Sequence, residues 1–197
     1  MGHLGAEELA AGLNPIRGAP AEAGTLEMIV RRPAEDAREV VEEGLLTVED
    51  GLVGDHWRAR GSRSTADGAA DPDRQLTLMG SRVVDLLAGG DRDGWPIAGD
   101  QLYVDLDLGA ANLPAGTRLA IGDAVVEVTE PAHTGCAKFS ARFGSEALRF
   151  VNSPEERALR LRGLNARVVA PGTVRRGDAV RRLPATRPTR AIPADGP

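Results

Sequence analysis

The sequence predicts a β-rich α+β fold, a barrel with a few short peripheral helices, from three observations. Short apolar or alternating segments follow one another closely, most densely between residues 102 and 128, and such segments are typical of strands. The pair Gly-Asp recurs beside them, at positions 54–55, 99–100, 122–123 and 177–178, and both residue types tolerate tight turns. Helical periodicity is confined to short stretches. Repeated hairpins of this kind favour a barrel.

The individual elements follow from the local pattern and from the residues that end it. Strands are predicted at residues 26–30, 38–46, 75–79, 102–106, 117–121, 125–128, 164–170 and 177–183. Helices are predicted at residues 5–13, ended by Asn14-Pro15, at residues 81–88, and after the capping-box pattern Ser153-Pro154-Glu155-Glu156. Residues 58–74 show no period, and we predict that they form a long mobile loop.

The length of 197 residues suits one globular domain with tails. A short helix and a Gly/Pro/Ala-rich arm are expected in residues 1–24, the domain itself in residues 25–183, and a disordered tail in residues 184–197. Aromatic residues make up only 3% of the chain, so the core must be built from Leu, Val, Ile and Ala.

Composition excludes several classes of function. The chain has 24 basic and 29 acidic residues and a net charge of −5, which argues against a nucleic-acid-binding protein. No apolar run is long enough to span a membrane, and the first residues lack a signal-peptide pattern, so we expect a cytoplasmic protein. Cys136 is the only cysteine, which excludes an internal disulfide and a multi-cysteine metal site. A P-loop and a Gly-x-Ser-x-Gly motif are also missing from the sequence.

Residues 130–139 hold the densest group of reactive side chains. The segment follows the predicted strand at 125–128 and contains His133, Cys136 and the only lysine, Lys138. Cations such as Lys138 and Arg142 near a thiol stabilise the thiolate, which attacks electrophiles and binds soft metals. His133 could accept the thiol proton or bind a metal itself. The alternative is a small buried side chain at Cys136, because free cysteines are commonly buried.

Other polar residues also have two interpretations. Asp55 and His56 could join His133 and Cys136 in a metal site, but these segments are distant in sequence and lack a recognised ligand spacing. The late helix and its exit carry three arginines, Arg157, Arg160 and Arg162. They form either a solvated face or a cradle for an anion, since arginine binds phosphate through two hydrogen bonds.

A set of short motifs stands in a fixed order along residues 25–183. In order, the motifs are Gly51-Leu-Val-Gly-Asp55, Gln75-Leu-Thr-Leu-Met79, Ala98-Gly-Asp-Gln-Leu-Tyr-Val104, Leu113-Pro-Ala-Gly-Thr-Arg-Leu-Ala-Ile-Gly-Asp123, Val126-Glu-Val-Thr-Glu-Pro131, Cys136-Ala-Lys138, Arg162-Gly163 through Val168, Gly172-Thr-Val and Gly177-Asp178. The ordered set resembles the MOSC domain, a module found at the C-terminus of molybdenum cofactor sulfurases and as stand-alone bacterial proteins.

The resemblance implies a β-barrel with Cys136 at its functional centre. In that family the cysteine is viewed as a sulfur carrier or, in amidoxime-reducing members, as a molybdenum ligand beside a bound pterin. Carried over, Cys136 is both the catalytic residue and the metal ligand. Gln101 stands where the family's Gly-Glu-Asn-Leu motif has Asn. Together with the residue pattern, the expected cofactor-binding residues are His56, Gln101, His133, Thr134, Lys138, Arg142 and Arg162.

The resulting hypothesis is a stand-alone protein that binds the molybdenum cofactor (molybdopterin) through Cys136 and reduces N-hydroxylated compounds with electrons from a separate donor protein. The alternatives are a sulfur transferase, in which Cys136 carries a persulfide from a sulfur-donor protein, and a non-catalytic binding module with a buried Cys136. Pyridoxal phosphate, which larger relatives bind in another domain, has no credible site, because Lys138 is the sole lysine. The expected partners are a small-molecule substrate or pterin and a donor protein, without nucleic acid or membrane.

Overall fold

A closed β-barrel lies at the centre of the structure, a computed structural model that describes residues 3–154 and 156–184. Its strands are β1 (Ala23–Arg31), β2 (Glu39–Val41), β3 (Glu43–Thr47), β4 (Gly51–Leu52), β5 (Leu76–Gly80), β6 (Leu102–Asp105), β7 (Arg118–Ile121), β8 (Ala124–Ala132), β9 (Leu164–Ala170), β10 (Gly172–Arg175) and β11 (Ala179–Arg182). Seven of them close the barrel in the order β11-β7-β8-β9-β5-β6-β1, with β1 pairing back to β11. Only β5 and β6 run parallel within this barrel. The predicted β-rich barrel is confirmed.

The remaining strands add to the barrel at its margins. Strands β10, β3 and β4 form a separate three-stranded sheet, and β2 pairs with the far end of β1. The strand predicted at residues 38–46 is interrupted at Glu42 and so becomes β2 and β3. Strand β10 is missing from the sequence-based prediction, because Val174 is its only buried residue and the period-two signal is weak.

Alternation along the barrel strands creates two cores. Leu102 and Val104 of β6 belong to a cluster inside the barrel, whereas Tyr103 between them packs in a second cluster against the helices, since successive side chains of a strand point to opposite faces. The barrel core contains no aromatic side chain and consists of Leu, Val, Ile and Ala, as the composition predicts. Aromatic residues such as Trp95 and Phe139 lie in the outer cluster.

Short helices cover the outer cluster. They are α1 (Ala6–Ala11), α2 (Leu13–Arg17), α3 (Trp57–Arg60), α4 (Ser81–Leu87) and α5 (Ala137–Val151), with 3-10 helices at Pro72–Arg74, Arg92–Ala98 and Arg157–Leu159. Helix α5 contributes Phe139, Phe143 and Ala147 to the outer cluster and is broken at Gly144, whose φ is +91°. In the described part of the chain, no helix has both the length and the apolar character that crossing a membrane requires.

Several predicted helix boundaries are wrong. Pro15 lies in the first turn of α2 and does not end a helix. The backbone N–H groups of a first turn have no acceptor within the helix, so the N–H that proline lacks is not needed there. The capping-box pattern at residues 153–156 leads only into the 3-10 helix Arg157–Leu159. Residues 58–74 are not irregular throughout, because α3 and the 3-10 helix at Pro72–Arg74 occupy the two ends. Most of the predicted tail, from residue 185 onward, lies outside the described residues.

Candidate functional site

Cys136 opens onto a large cleft at the end of strand β8. Residues 133–136 connect β8 to α5, and Cys136 is the exposed residue that immediately precedes the helix. The cleft encloses about 1820 Å³, including the space open to solvent at its mouth. Its walls come from the β1–β2 connection, the segment around α3, the turn before β6 and the start of α5. The interpretation of Cys136 as a buried side chain is therefore wrong.

The cleft is strongly basic, although the whole chain carries a net charge of −5. Seven cationic side chains of the described residues line it, namely Arg32, Arg38, Arg60, Arg63, Lys138, Arg142 and Arg162. The carboxylates in the lining are those of Glu35 and Asp36. Cations concentrated in a concave surface focus a positive potential there and raise the local concentration of anions. The cleft is thus suited to an anionic ligand.

Two buried carboxylates behind the lining fix two of these arginines. Asp55 Oδ2 accepts from Nε of Arg32 at 2.7 Å, and Oδ1 accepts from Nη2 of the same arginine at 3.0 Å. Asp100 Oδ2 accepts from Nη1 of Arg162 at 2.6 Å. Arg32 also donates through Nη1 to the carbonyl oxygen of Gly99 at 3.0 Å, so the first pair is attached to the turn that carries Asp100. Arg32 and Arg162 are committed to these internal partners.

The second oxygen of Asp100 orients His133. Nε2 of His133 lies 2.9 Å from Oδ1 of Asp100. Burial opposes ionisation of Asp100, but Arg162 and the hydrogen bond from His133 outweigh it and lower the pKa of Asp100 to about 2. Burial and the charge of Arg162 also lower the pKa of His133 below its usual value near 6.5. Neutral His133 therefore carries its proton on Nε2, facing a carboxylate, and Nδ1 is left without one.

His56 is held by the opposite ring nitrogen. Nδ1 of His56 lies 2.6 Å from the carbonyl oxygen of Arg32. A carbonyl oxygen only accepts hydrogen bonds, so Nδ1 is the protonated nitrogen and Nε2 of the neutral ring is free of a proton. Both His56 and His133 line the cleft. Within the described residues, however, no three His, Cys, Asp or Glu side chains are grouped closely enough to hold a metal ion.

Arg38 and Arg142 converge above Gly99. A Cβ atom at Gly99 would lie 3.3 Å from Nη2 of Arg38 and 3.4 Å from Nη1 of Arg142. Nε of Arg38 is buried and has no hydrogen-bond partner among the described residues. Burial and the charges of Arg142 and Arg32 lower the pKa of the Arg38 guanidinium. Like charges at one place, with an unused buried donor, indicate a position where an anion would be stabilised.

The predicted site residues lie in three places. The cleft brings together Cys136, His56, His133, Lys138, Arg142 and Arg162. Thr134 lines a neighbouring cavity, which shares His133 and Arg162 with the cleft. Gln101 is fully buried, where its Oε1 accepts from the N–H and the hydroxyl of Thr77 at 2.8 and 2.7 Å. Its side chain joins β6 to β5 and lies away from the cleft lining.

Sequence reasoning missed Arg32, Arg38 and Asp100 among the residues that build the cleft around the cysteine. It considered Asp55 only as a metal ligand, whereas Asp55 pairs with Arg32. Arg32 and Arg38 come from the β1–β2 connection, and Asp55 and Asp100 come from two of the four Gly-Asp pairs. The other two pairs are turns, for Gly122-Asp123 connects β7 to β8 and Gly177-Asp178 connects β10 to β11. The repeated pair was a usable signal, but turn geometry is common to all four and does not distinguish the buried carboxylates.

Comparison with known proteins gives the chain a family and a set of structural neighbours. The model of the MOSC domain family matches residues 72–181, more than half of the chain. The YuaD protein from Bacillus subtilis is similar in structure, with a TM-score of 0.60 and 17% identity over 80% of this chain and 94% of that one. YiiM from Escherichia coli has a TM-score of 0.52 and 20% identity over 82% of this chain and 71% of its own. No curated protein sequence matches the chain significantly.

Proposed function

The chain belongs to the MOSC domain family, which is associated with the molybdenum cofactor, and from this premise we propose that Cys136 is its molybdenum ligand. In this proposal the cleft binds the molybdenum cofactor, and the protein reduces N-hydroxylated compounds with electrons from a separate donor protein. The observation that carries the proposal is one cleft that an exposed thiol shares, within the described part of the chain, with seven cationic side chains and only two carboxylates.

The residues of the cleft fit the chemistry of this cofactor. A thiolate is a soft ligand suited to a heavy transition metal, and Cys136 is exposed to take that role. The phosphate of a pterin needs charged donors, which Arg38, Arg142 and Lys138 offer at the same cleft. Among the described residues the buried Nε of Arg38 has no hydrogen-bond partner, and such a group would satisfy this donor. Arg162 instead pairs with the buried carboxylate of Asp100 and so stabilises the site.

In this scheme His133 is the residue that transfers protons. Reduction of an N–OH group to N–H releases water and consumes two electrons and two protons, and a molybdenum centre held by Cys136 would supply the two-electron chemistry. Because Nε2 of His133 is held by Asp100, Nδ1 is the ring nitrogen that can take up and return a proton. The lowered pKa of His133 keeps the ring neutral near pH 7, so that Nδ1 takes up a proton from solvent before it donates that proton to the leaving hydroxyl group.

A sulfur-carrier function is the second candidate. Cys136 is a free, exposed cysteine that lines the basic cleft. An accessible thiolate could hold a sulfane sulfur as a persulfide and pass it to an acceptor. The same cations of the cleft would stabilise the thiolate released when the sulfur leaves.

Metal analysis distinguishes these candidates. The chain, Cys136→Ser and the neighbouring control Ala137→Ser are produced in a molybdopterin-competent host, and molybdenum and pterin are measured for each. We expect molybdenum in the chain and in Ala137→Ser and its loss in Cys136→Ser. Equal molybdenum in Cys136→Ser would overturn the ligand role. A persulfide on Cys136 without molybdenum would establish the second candidate, and failure of an alkylating reagent to label Cys136 in native protein produced without molybdopterin would contradict both.

A further inference from the structure

Four carboxylates lie at the basic cleft, and burial divides them into two classes. The side chains of Asp55 and Asp100 are 0% exposed. Those of Glu35 and Asp36, on the β1–β2 connection, are 77% and 60% exposed. Removing a buried carboxylate from its arginine leaves an uncompensated charge in the interior, whereas an exposed ion pair contributes little to stability and exchanges readily with water or another ion. Only Glu35 and Asp36 are therefore exchangeable.

The exchangeable carboxylates of Glu35 and Asp36 pair with cations that the buried carboxylates do not contact. Lys138 Nζ donates to Glu35 and lies 3.4 Å from Oδ2 of Asp36. Arg142 Nη2 donates to Oδ1 of Asp36 at 2.8 Å. Arg142 also reaches Gly99, where Arg38 converges with it. Asp36 and Glu35 thus occupy the positions from which an anion would contact Arg142 and Lys138.

We propose that the carboxylates of Glu35 and Asp36 occupy the binding position of a tetrahedral dianion, such as a phosphate group. The dianion displaces both carboxylates when it binds to Arg38, Arg142 and Lys138. Two carboxylates leave and one dianion enters, so the charge of the cleft is unchanged by the exchange. A monoanion would balance one positive charge fewer among these three cations than a dianion does. Glu35 and Asp36 therefore select dianions over monoanions.

The dianion site rests on the proposed function in one respect, because the phosphate of a cofactor is one source of such a dianion. The other source of a dianion is a free oxyanion. The two sources are distinguished by competition, since a cofactor that already fills the position abolishes binding of added phosphate, whereas a cofactor bound elsewhere leaves that binding intact. Phosphate binding does not require Cys136, so Cys136→Ser tests the anion position independently of molybdenum.

The proposal is tested by titrating the protein with inorganic phosphate at low ionic strength and measuring the heat of binding by calorimetry. Asp36→Asn removes the charge, and Asn tolerates the positive φ of +58° found at this residue. Asp50→Asn is the matched control, because Asp50 is an exposed ion-pair carboxylate that pairs with Arg58 and is not part of the cleft lining. Arg142→Gln removes a proposed ligand. Sulfate repeats the test with a second tetrahedral dianion, and chloride serves as the monoanion.

We expect phosphate to bind Asp36→Asn at least threefold more tightly than the unchanged chain, Asp50→Asn to bind as the unchanged chain does, and Arg142→Gln to bind at least tenfold more weakly. Sulfate should follow phosphate, and chloride should not compete at equal ionic strength. Equal gains in Asp36→Asn and Asp50→Asn would show a general charge effect and overturn the proposal. Weaker binding by Asp36→Asn would show that Asp36 positions Arg142 for the anion instead of competing with it. A complete lack of phosphate binding by the unchanged chain and Asp36→Asn would also overturn it.

Discussion

Arg162 donates through Nη1 to Oδ2 of Asp100 at 2.6 Å, and both side chains are withdrawn from solvent, with exposures of 8% and 0%. The pair connects the turn before β6 to the segment that precedes β9. Because the other oxygen of Asp100 holds His133, this one carboxylate also fixes the segment that leads to Cys136. The geometry of the reactive cleft therefore depends on an internal ion pair that no ligand needs to touch.

Replacing Arg162 by Met should lower the free energy of unfolding by about 3–5 kcal/mol, because Asp100 would remain buried without its main counter-charge. Replacing Arg58 by Gln removes an exposed partner of Asp50 and should cost no more than about 1 kcal/mol. Urea unfolding followed by tryptophan fluorescence measures both values, since Trp57 and Trp95 are buried. A loss in Arg162→Met as small as that in Arg58→Gln would show that the buried pair does not stabilise the fold.

The sequence predicts the barrel better than it predicts the helices. Strand patterns are local, and the segment at residues 102–106 predicts β6, whereas the division of Leu102, Tyr103 and Val104 between two cores is seen only in the structure. Helix α5 is missing from the predicted elements, although its buried residues include Phe139 and Phe143 four positions apart. Gly144 interrupts the helical pattern, and the packing of the helix in the outer cluster, which stabilises it, is not encoded locally.

For the site, the sequence identifies the reactive segment but not the cleft around it. Cys136, His133, Lys138 and Arg142 fall within ten residues, so their proximity follows from the chain itself. The pairing of Asp100 with Arg162 joins segments 62 residues apart, and nothing in either segment alone indicates it. Such contacts are set by the closure of the barrel, which is why they appear only in the structure.

Acid should destabilise the protein through His133. The folded state lowers the pKa of His133 below the value near 6.5 of an unfolded chain, so the unfolded state binds more protons as the pH falls from 7.5 to 5, and the free energy of unfolding decreases. His133→Gln keeps a hydrogen-bond donor for Asp100 but does not titrate, so its decrease over this range should be smaller. Urea unfolding at the two pH values measures the difference. Identical decreases in both proteins would contradict the assignment.

Exchange of Cys136 for serine should separate stability from function. Cys136 precedes α5 with an extended backbone and makes no side-chain cap hydrogen bond, whereas serine is among the favoured N-cap residues. Cys136→Ser should therefore be as stable as the unchanged chain or more stable by up to about 1 kcal/mol, while alkylation of the protein and any bound molybdenum are lost. Cys136→Ala, which cannot cap, is the comparison. A clear loss of stability in Cys136→Ser would indicate that the thiol has a structural role.

Gly99 should be required for anion binding and not only for folding. Gly99 and Gly116 have φ values of +92° and +85°, but a Cβ at Gly99 would meet Arg38 and Arg142, whereas one at Gly116 meets nothing within 4 Å. Alanine at either position should cost about 1–2 kcal/mol through the left-handed backbone. Only Gly99→Ala should also shift the two guanidinium groups by a few tenths of an ångström and thereby weaken phosphate binding severalfold. Urea unfolding and phosphate titration of both variants measure these effects. Equal phosphate affinities in the two variants would show that the convergence of Arg38 and Arg142 above Gly99 does not form the anion position.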